Sequence, residues 1–171
     1  MYVKSNLFLL LMLISYSIVI SLICCEYNKN HSLSNIICKP DNKFIIFFFM
    51  LLMGFFTLMY ENTFEDNISY YIILILLISI YGLIIFDVDN IFQCNIHYFF
   101  AIFAFLSIIG FMIYHSFNIN SIFLHSLLVL YIGFSILMLV NKKLFFMCEC
   151  GLVIIFAIFY LYLHYINRNK I

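Results

Sequence analysis

Four ionisable residues stand out in an otherwise apolar chain: Asp87, Asp89, His97 and Glu149. Carboxylates with an imidazole form a ligand set suited to Zn, Mn or Fe. The same groups could bind a lipid head group or pass a proton. An ionisable side chain in hydrocarbon costs several kcal/mol unless it finds a partner or water, so each invites a functional reading. The plainer reading makes all four interfacial, with the Asp pair marking a helix end and Glu149 reaching up to water. Residue types alone leave both readings open, and no metal or catalytic role is assigned to any one of them.

The elements that must position these residues follow from composition. The 171 residues are 67% hydrophobic and 9% charged, where a soluble domain averages roughly 25% charged. Eight basic and eight acidic residues cannot cover the surface of a water-soluble globule this apolar. Disorder needs the reverse composition, and the mean hydropathy is +1.15. Zero formal net charge and a pI near 6.9 exclude the basic field of a nucleic-acid-binding protein. Lipid is the remaining solvent.

A helix needs about 18 to 20 apolar residues to cross a ~30 Å hydrocarbon core. Six stretches qualify: Leu7 to Cys25, Phe44 to Tyr60, Ile68 to Phe86, Ile96 to Tyr114, Ile122 to Val140 and Leu144 to Ile166. Polar breaks separate them at Glu26 to Lys43, Glu61 to Asn67, Asp87 to Asn95, His115 to Ser121 and Asn141 to Lys143. Barrel strands would alternate over about ten residues, whereas these runs are continuous. Helices also satisfy their own backbone in lipid. The expectation is therefore an all-α polytopic membrane protein, one transmembrane domain over residues 1–171, with six helices in an up-and-down antiparallel bundle. Pro40, followed by Asp41 and Asn42, suits the start of the second helix. Lys4 ahead of an apolar run could also open a signal peptide. Bulky Ile23 before Cys24 argues against cleavage there, so the first helix is expected to stay.

In this arrangement the face holding both chain ends carries Lys4, Arg168 and Lys170, and the opposite face carries Lys29, Lys39, Lys43, Lys142 and Lys143. The basic bias would put the opposite face in the cytoplasm. The cysteines argue otherwise: Cys24, Cys25, Cys38, Cys94, Cys148 and Cys150 all fall at or near that opposite face. Such clustering suits disulfides on a lumenal or extracellular side, although Cys is also a small buried hydrophobe. Asn30-His31-Ser32 is a glycosylation sequon there, and Asn67-Ile68-Ser69 lies on the terminal face. The resulting expectation places both termini in the cytoplasm, with Asn30 a candidate glycosylation site.

Other chemistry finds little support. His97 and His115 stand about 27 Å apart on one helix, and His125 and His164 lie near the terminal face, which does not build a haem site. No Cys-x-x-Cys redox pair occurs, nor a Gly-x-Ser-x-Gly elbow, a phosphate-binding glycine loop or a His-Glu-x-x-His helix. No cofactor is expected. Small residues on the spans, Gly54, Ser79 with Gly82, Ala101 with Ala104, Gly110 and Gly133, are expected to mark close helix contacts. His97 shares a helical face with Ala101 and is expected to point inward.

Two stretches carry a resemblance. Ser32-Leu33-Ser34-Asn35-Ile36-Ile37, followed by Pro40 and Phe44, resembles the first non-cytosolic loop of the damage-regulated autophagy modulator (DRAM) family and its lipid- and GPI-anchor-handling relatives. That family has an Ile-Ser-Asp-x-Gly segment before a Pro and the second helix; this chain has Asn35 in place of the Asp and Ile37 in place of the Gly. Gly82-x3-Phe86 and His97-x3-Ala101-x3-Phe105 are similar to the family's third helix and the start of its fourth. The resemblance implies six spans, cytosolic termini, an endomembrane or plasma-membrane setting and no established catalytic mechanism. The expected function is non-enzymatic modulation of membrane, lipid or autophagy-type processes, with membrane lipids and membrane proteins as partners. The alternative is a small metal-assisted membrane lipid hydrolase built on Asp87, Asp89, His97 and Glu149. A transporter is disfavoured, because no internal repeat or broken helix is visible.

Overall fold

The computed structural model describes residues 2–25, 40–86, 91–141 and 144–169. Six α-helices occupy them: α1 (Tyr2–Cys25), α2 (Pro40–Glu61), α3 (Asn67–Ile85), α4 (Ile91–Ile119), α5 (Ile122–Val140) and α6 (Phe145–Asn169). A 3₁₀ turn, Asn62–Phe64, links α2 to α3. Each of the six is long and apolar enough to cross a membrane, so the chain is an all-α, multi-pass integral membrane protein. The side chains that cover a soluble core with charge are here apolar. Phe44, Ile122 and Val140 are among many large hydrophobics left exposed, and lipid is what can cover them.

Five of the six expected spans agree with the helices to within a few residues. The fourth is longer at both ends, 29 residues in place of the stretch from Ile96 to Tyr114. Gln93, Asn95, His115 and Asn118 read as polar margins, yet they continue the helix. A helix of 29 residues is roughly 43 Å long, enough to extend through the head-group layers as well as the hydrocarbon. The expected break from His115 to Ser121 shrinks to Asn120 and Ser121. Asn120 takes the left-handed conformation, φ 49°, and its amide donates to the Ser116 carbonyl at 3.0 Å. Asn is one of the few side chains that tolerate this conformation at a helix end.

Two compact units divide the chain, Met1–Ile108 and Ile109–Ile171. Within the first, α1 packs along α2, and α2 packs on α3. The α2–α3 pair is antiparallel, because Glu61 meets Ser69 at the turn while Met50, earlier on α2, meets Tyr81, later on α3. Gly54 permits this approach. A Cβ there would fall 1.8 Å from the Tyr81 hydroxyl, which donates instead to the Met50 carbonyl at 3.2 Å. The start of α4 returns along the end of α3. There the Phe100 ring lies over Gly82 and stacks on Phe86 with centroids 5.6 Å apart. The two short motifs singled out by resemblance, Gly82-x3-Phe86 and the His97 stretch, are thus packed on each other.

In the second unit α5 and α6 are antiparallel. Phe134 lies over Gly151, and Phe123, earlier on α5, meets Tyr162, later on α6, at 4.5 Å. The end of α4 inserts Phe111 among Phe156, Phe159 and Tyr160 of α6. Gly110 and Gly133 correct the expectation that glycines mark contacts, since a Cβ at either would meet nothing within 4 Å. Gly54, Gly82 and Gly151 face a neighbouring ring or hydroxyl, and composition alone does not separate these two kinds of glycine.

Candidate functional site

Two members of the expected polar cluster, His97 and Glu149, lie within the described residues. Asp87 and Asp89 lie outside the described residues. His97 belongs to the first unit and Glu149 to the second. Among the described residues no group of three or more His, Cys, Asp or Glu is placed to hold a metal ion. Cys25, Cys94, Cys148 and Cys150 are all present as thiols, Cys38 lies outside the described residues, and the Cys24 side chain is likewise not described. Asn30 also falls outside them.

His97 is 4% exposed. Its Nδ1 lies 3.0 Å from the Phe86 carbonyl oxygen, and since a carbonyl only accepts, Nδ1 carries the proton. The chain reverses between Phe86 and α4, so this bond closes a corner. It satisfies a carbonyl at the end of α3 that has no partner within the helix. The imidazole that looked like a ligand from its sequence position holds two helices together.

A second polar centre lies at the α2–α3 turn, where the sequence suggests only a loop boundary. Glu61 is 4% exposed and Ser69 is 2% exposed, and the Ser69 hydroxyl donates to Glu61 Oε2 at 2.6 Å. The turn is built to bring them together. Glu65 takes a left-handed φ of 56°, and Asp66 caps α3 by accepting the Ile68 and Ser69 amides, each at 3.1 Å. The Thr63 hydroxyl donates to the Tyr60 carbonyl at 2.7 Å, and the Tyr60 and Phe64 rings meet edge to face at 4.9 Å. Ser69 is therefore held through its amide by Asp66 and through its hydroxyl by Glu61. A hydroxyl beside a carboxylate is the pairing of a nucleophile with its base, but both groups are closed off from any substrate. The geometry serves as a tie across the hairpin. The Asp66-x-x-Ser69 spacing could have flagged the cap; nothing in the sequence marks Glu61 as buried.

Removing the tie has a calculable effect. Ser69→Ala leaves a buried carboxyl without one donor, and a hydrogen bond to a charged group contributes about 1.5–3 kcal/mol. We expect unfolding in mixed micelles to shift by about 2 kcal/mol. The effect should disappear when Glu61→Leu is already present, because the carboxyl that needs the donor is then gone.

Most other hydroxyls within the spans are satisfied by their own helix. Ser15, Thr57, Ser79 and Ser107 each donate to the carbonyl four residues earlier, at 2.7–2.9 Å, as membrane helices commonly arrange. Ser116 differs: it is fully buried, and its hydroxyl has no hydrogen-bond partner among the described residues. The chain matches no protein-family model, no curated protein and no solved structure.

Proposed function

We propose that this is a non-enzymatic membrane protein that acts through the lipids and membrane proteins its helices touch. One observation carries the reading: two of the polar groups that could do chemistry, His97 and Ser69, are spent on the fold. His97 serves the Phe86 carbonyl, Ser69 serves Glu61, and the Ser15, Thr57 and Ser79 hydroxyls serve their own helices. What the protein offers outward is apolar helix surface, which interacts by packing and not by bond-making. The resemblance to the DRAM family supplies a setting for this proposal, an endomembrane or plasma membrane with both termini cytoplasmic, and a role in membrane, lipid or autophagy-type processes.

Reconstitution tests it directly. In liposomes of labelled phosphatidylcholine and phosphatidylethanolamine supplied with Zn²⁺ or Mn²⁺, the protein is expected to release no more head group or fatty acid than protein-free liposomes. Release that disappears in Asp87→Ala, His97→Ala or Glu149→Gln would overturn the reading in favour of metal-assisted lipid hydrolysis.

A further inference from the structure

Helix α4 runs from one compact unit into the other, since the boundary falls between Ile108 and Ile109. Its two halves are anchored separately. The first half is held to α3 by the His97 bond to the Phe86 carbonyl and by the Phe100 ring over Gly82. The second half is held to α6 by Phe111, seated among Phe156, Phe159 and Tyr160. Between these anchors, on either side of the boundary, stand Ser107 and Gly110.

Both residues loosen a helix. Glycine is the poorest helix former after proline, and close packing does not account for Gly110, because a Cβ there would meet nothing within 4 Å. The Ser107 hydroxyl donates to the Phe103 carbonyl at 2.7 Å, the back-bond that often bends helices. Gly and Ser together are a usual place for a kink. A bend in lipid must not strand a backbone group, and the Ser107 hydroxyl keeps the Phe103 carbonyl satisfied when its backbone bond lengthens. Ser79 and Gly82 repeat the spacing on α3, with the same back-bond at 2.8 Å. There, however, the Phe100 ring fills the space beside the glycine, and both residues lie inside one unit. Gly133 has the free space but also lies inside one unit. Gly110 combines free space with a unit on either side.

α4 is also longer than its neighbours. It has 29 residues, whereas α3 and α5, which flank it in the chain, have 19 each, a difference of roughly 15 Å. A membrane helix longer than the hydrocarbon is thick tilts or kinks. Tilting α4 as one rod would displace both anchors together; a bend between them leaves each half on its own partner. We propose that α4 is jointed at Ser107 and Gly110, and that the joint bends further as the bilayer thins, so that each half follows the unit that holds it.

The glycines themselves supply the test. The chain holds five, so glycine-selective nitrogen labelling of the full chain gives one NMR amide signal each for Gly54, Gly82, Gly110, Gly133 and Gly151. Spectra are recorded in thin bilayers of dimyristoyl and thick bilayers of dierucoyl phosphatidylcholine. Gly110 is expected to show the largest change of chemical shift between them, together with a relaxation-dispersion curve, the signature of μs–ms motion, that is stronger in the thin bilayer. The other four should give flat profiles, which reports that the two units stay intact. This comparison needs no variant to fold. Ser107→Ala should lose the Gly110 curve, and the alanine introduced by Gly110→Ala should give a flat profile, whereas Gly133→Ala should leave the Gly110 curve in place. A flat Gly110 profile in both bilayers, a Gly110 signal indifferent to thickness, an equal curve at Gly133, or an unchanged curve in Ser107→Ala would overturn the joint.

Discussion

Phe111→Ala is expected to destabilise the second unit by about 4 kcal/mol. The Phe111 side chain is 1% exposed. It meets Phe156 at 5.8 Å and Phe159 at 6.3 Å edge to face, and it stacks on Tyr160 at 5.8 Å. In a soluble protein much of the loss would come from hydrophobic transfer. Here the unfolded helix still lies in lipid, which is as apolar as the core, so that contribution largely disappears. The cavity contribution remains, about 24 cal/mol for each Å³ left empty, or about 2 kcal/mol for a hole the size of a ring. Lost aromatic pairing adds about 0.5–1.5 kcal/mol per contact. Unfolding by denaturing detergent in bicelles measures the sum. A change below about 1 kcal/mol would mean that the α4–α6 contact does not hold the unit together.

Gly82→Ala is expected to destabilise the first unit by about 1 kcal/mol, although alanine is the better helix former. The added Cβ would lie 2.4 Å from Phe100 ring atoms. That ring is stacked on Phe86 at an interplanar angle of 11°, and the Phe86 carbonyl is bound by His97, three residues before Phe100 on α4. The ring cannot yield without disturbing the corner. Overpacking of this kind costs about 1–3 kcal/mol, against roughly 1 kcal/mol recovered from helix propensity. Phe100→Leu in the Gly82→Ala background should restore most of the loss. Gly110→Ala is the contrast: a Cβ there meets nothing within 4 Å, so only the propensity gain remains and stability should rise by up to ~1 kcal/mol. Thermal denaturation of the two alanine variants should therefore shift in opposite directions.

These two glycines show how the sequence and the fold divide the information. In the sequence each is a small residue in an apolar run, and each is a plausible contact. Which one faces a ring depends on how helices rotate about their own axes. That rotation is decided by pairing across space, and nothing local to the residue encodes it. The same applies to the polar groups. Glu61 reads as the first residue of a loop, yet α2 runs one residue further and the left-handed Glu65 turns Ser69 back onto it. His97 reads as an open ligand, and it closes the α3–α4 corner because the chain reverses ahead of it.

The sequence by itself determined the solvent and the element inventory. A 67% apolar chain must be covered by lipid, lipid leaves the helix as the way for each span to satisfy its own backbone, and run length then sets the number of spans at six. Only the tertiary structure decided which polar groups are consumed and which are offered. His97, Glu61 and Ser69 are closed into ties, whereas Asn120, His125 and Ser126 line an open face beside a turn of just two residues. Hydropathy is a property of each stretch taken alone. Hydrogen bonding between helices depends on register and rotation, which are set only when the helices meet.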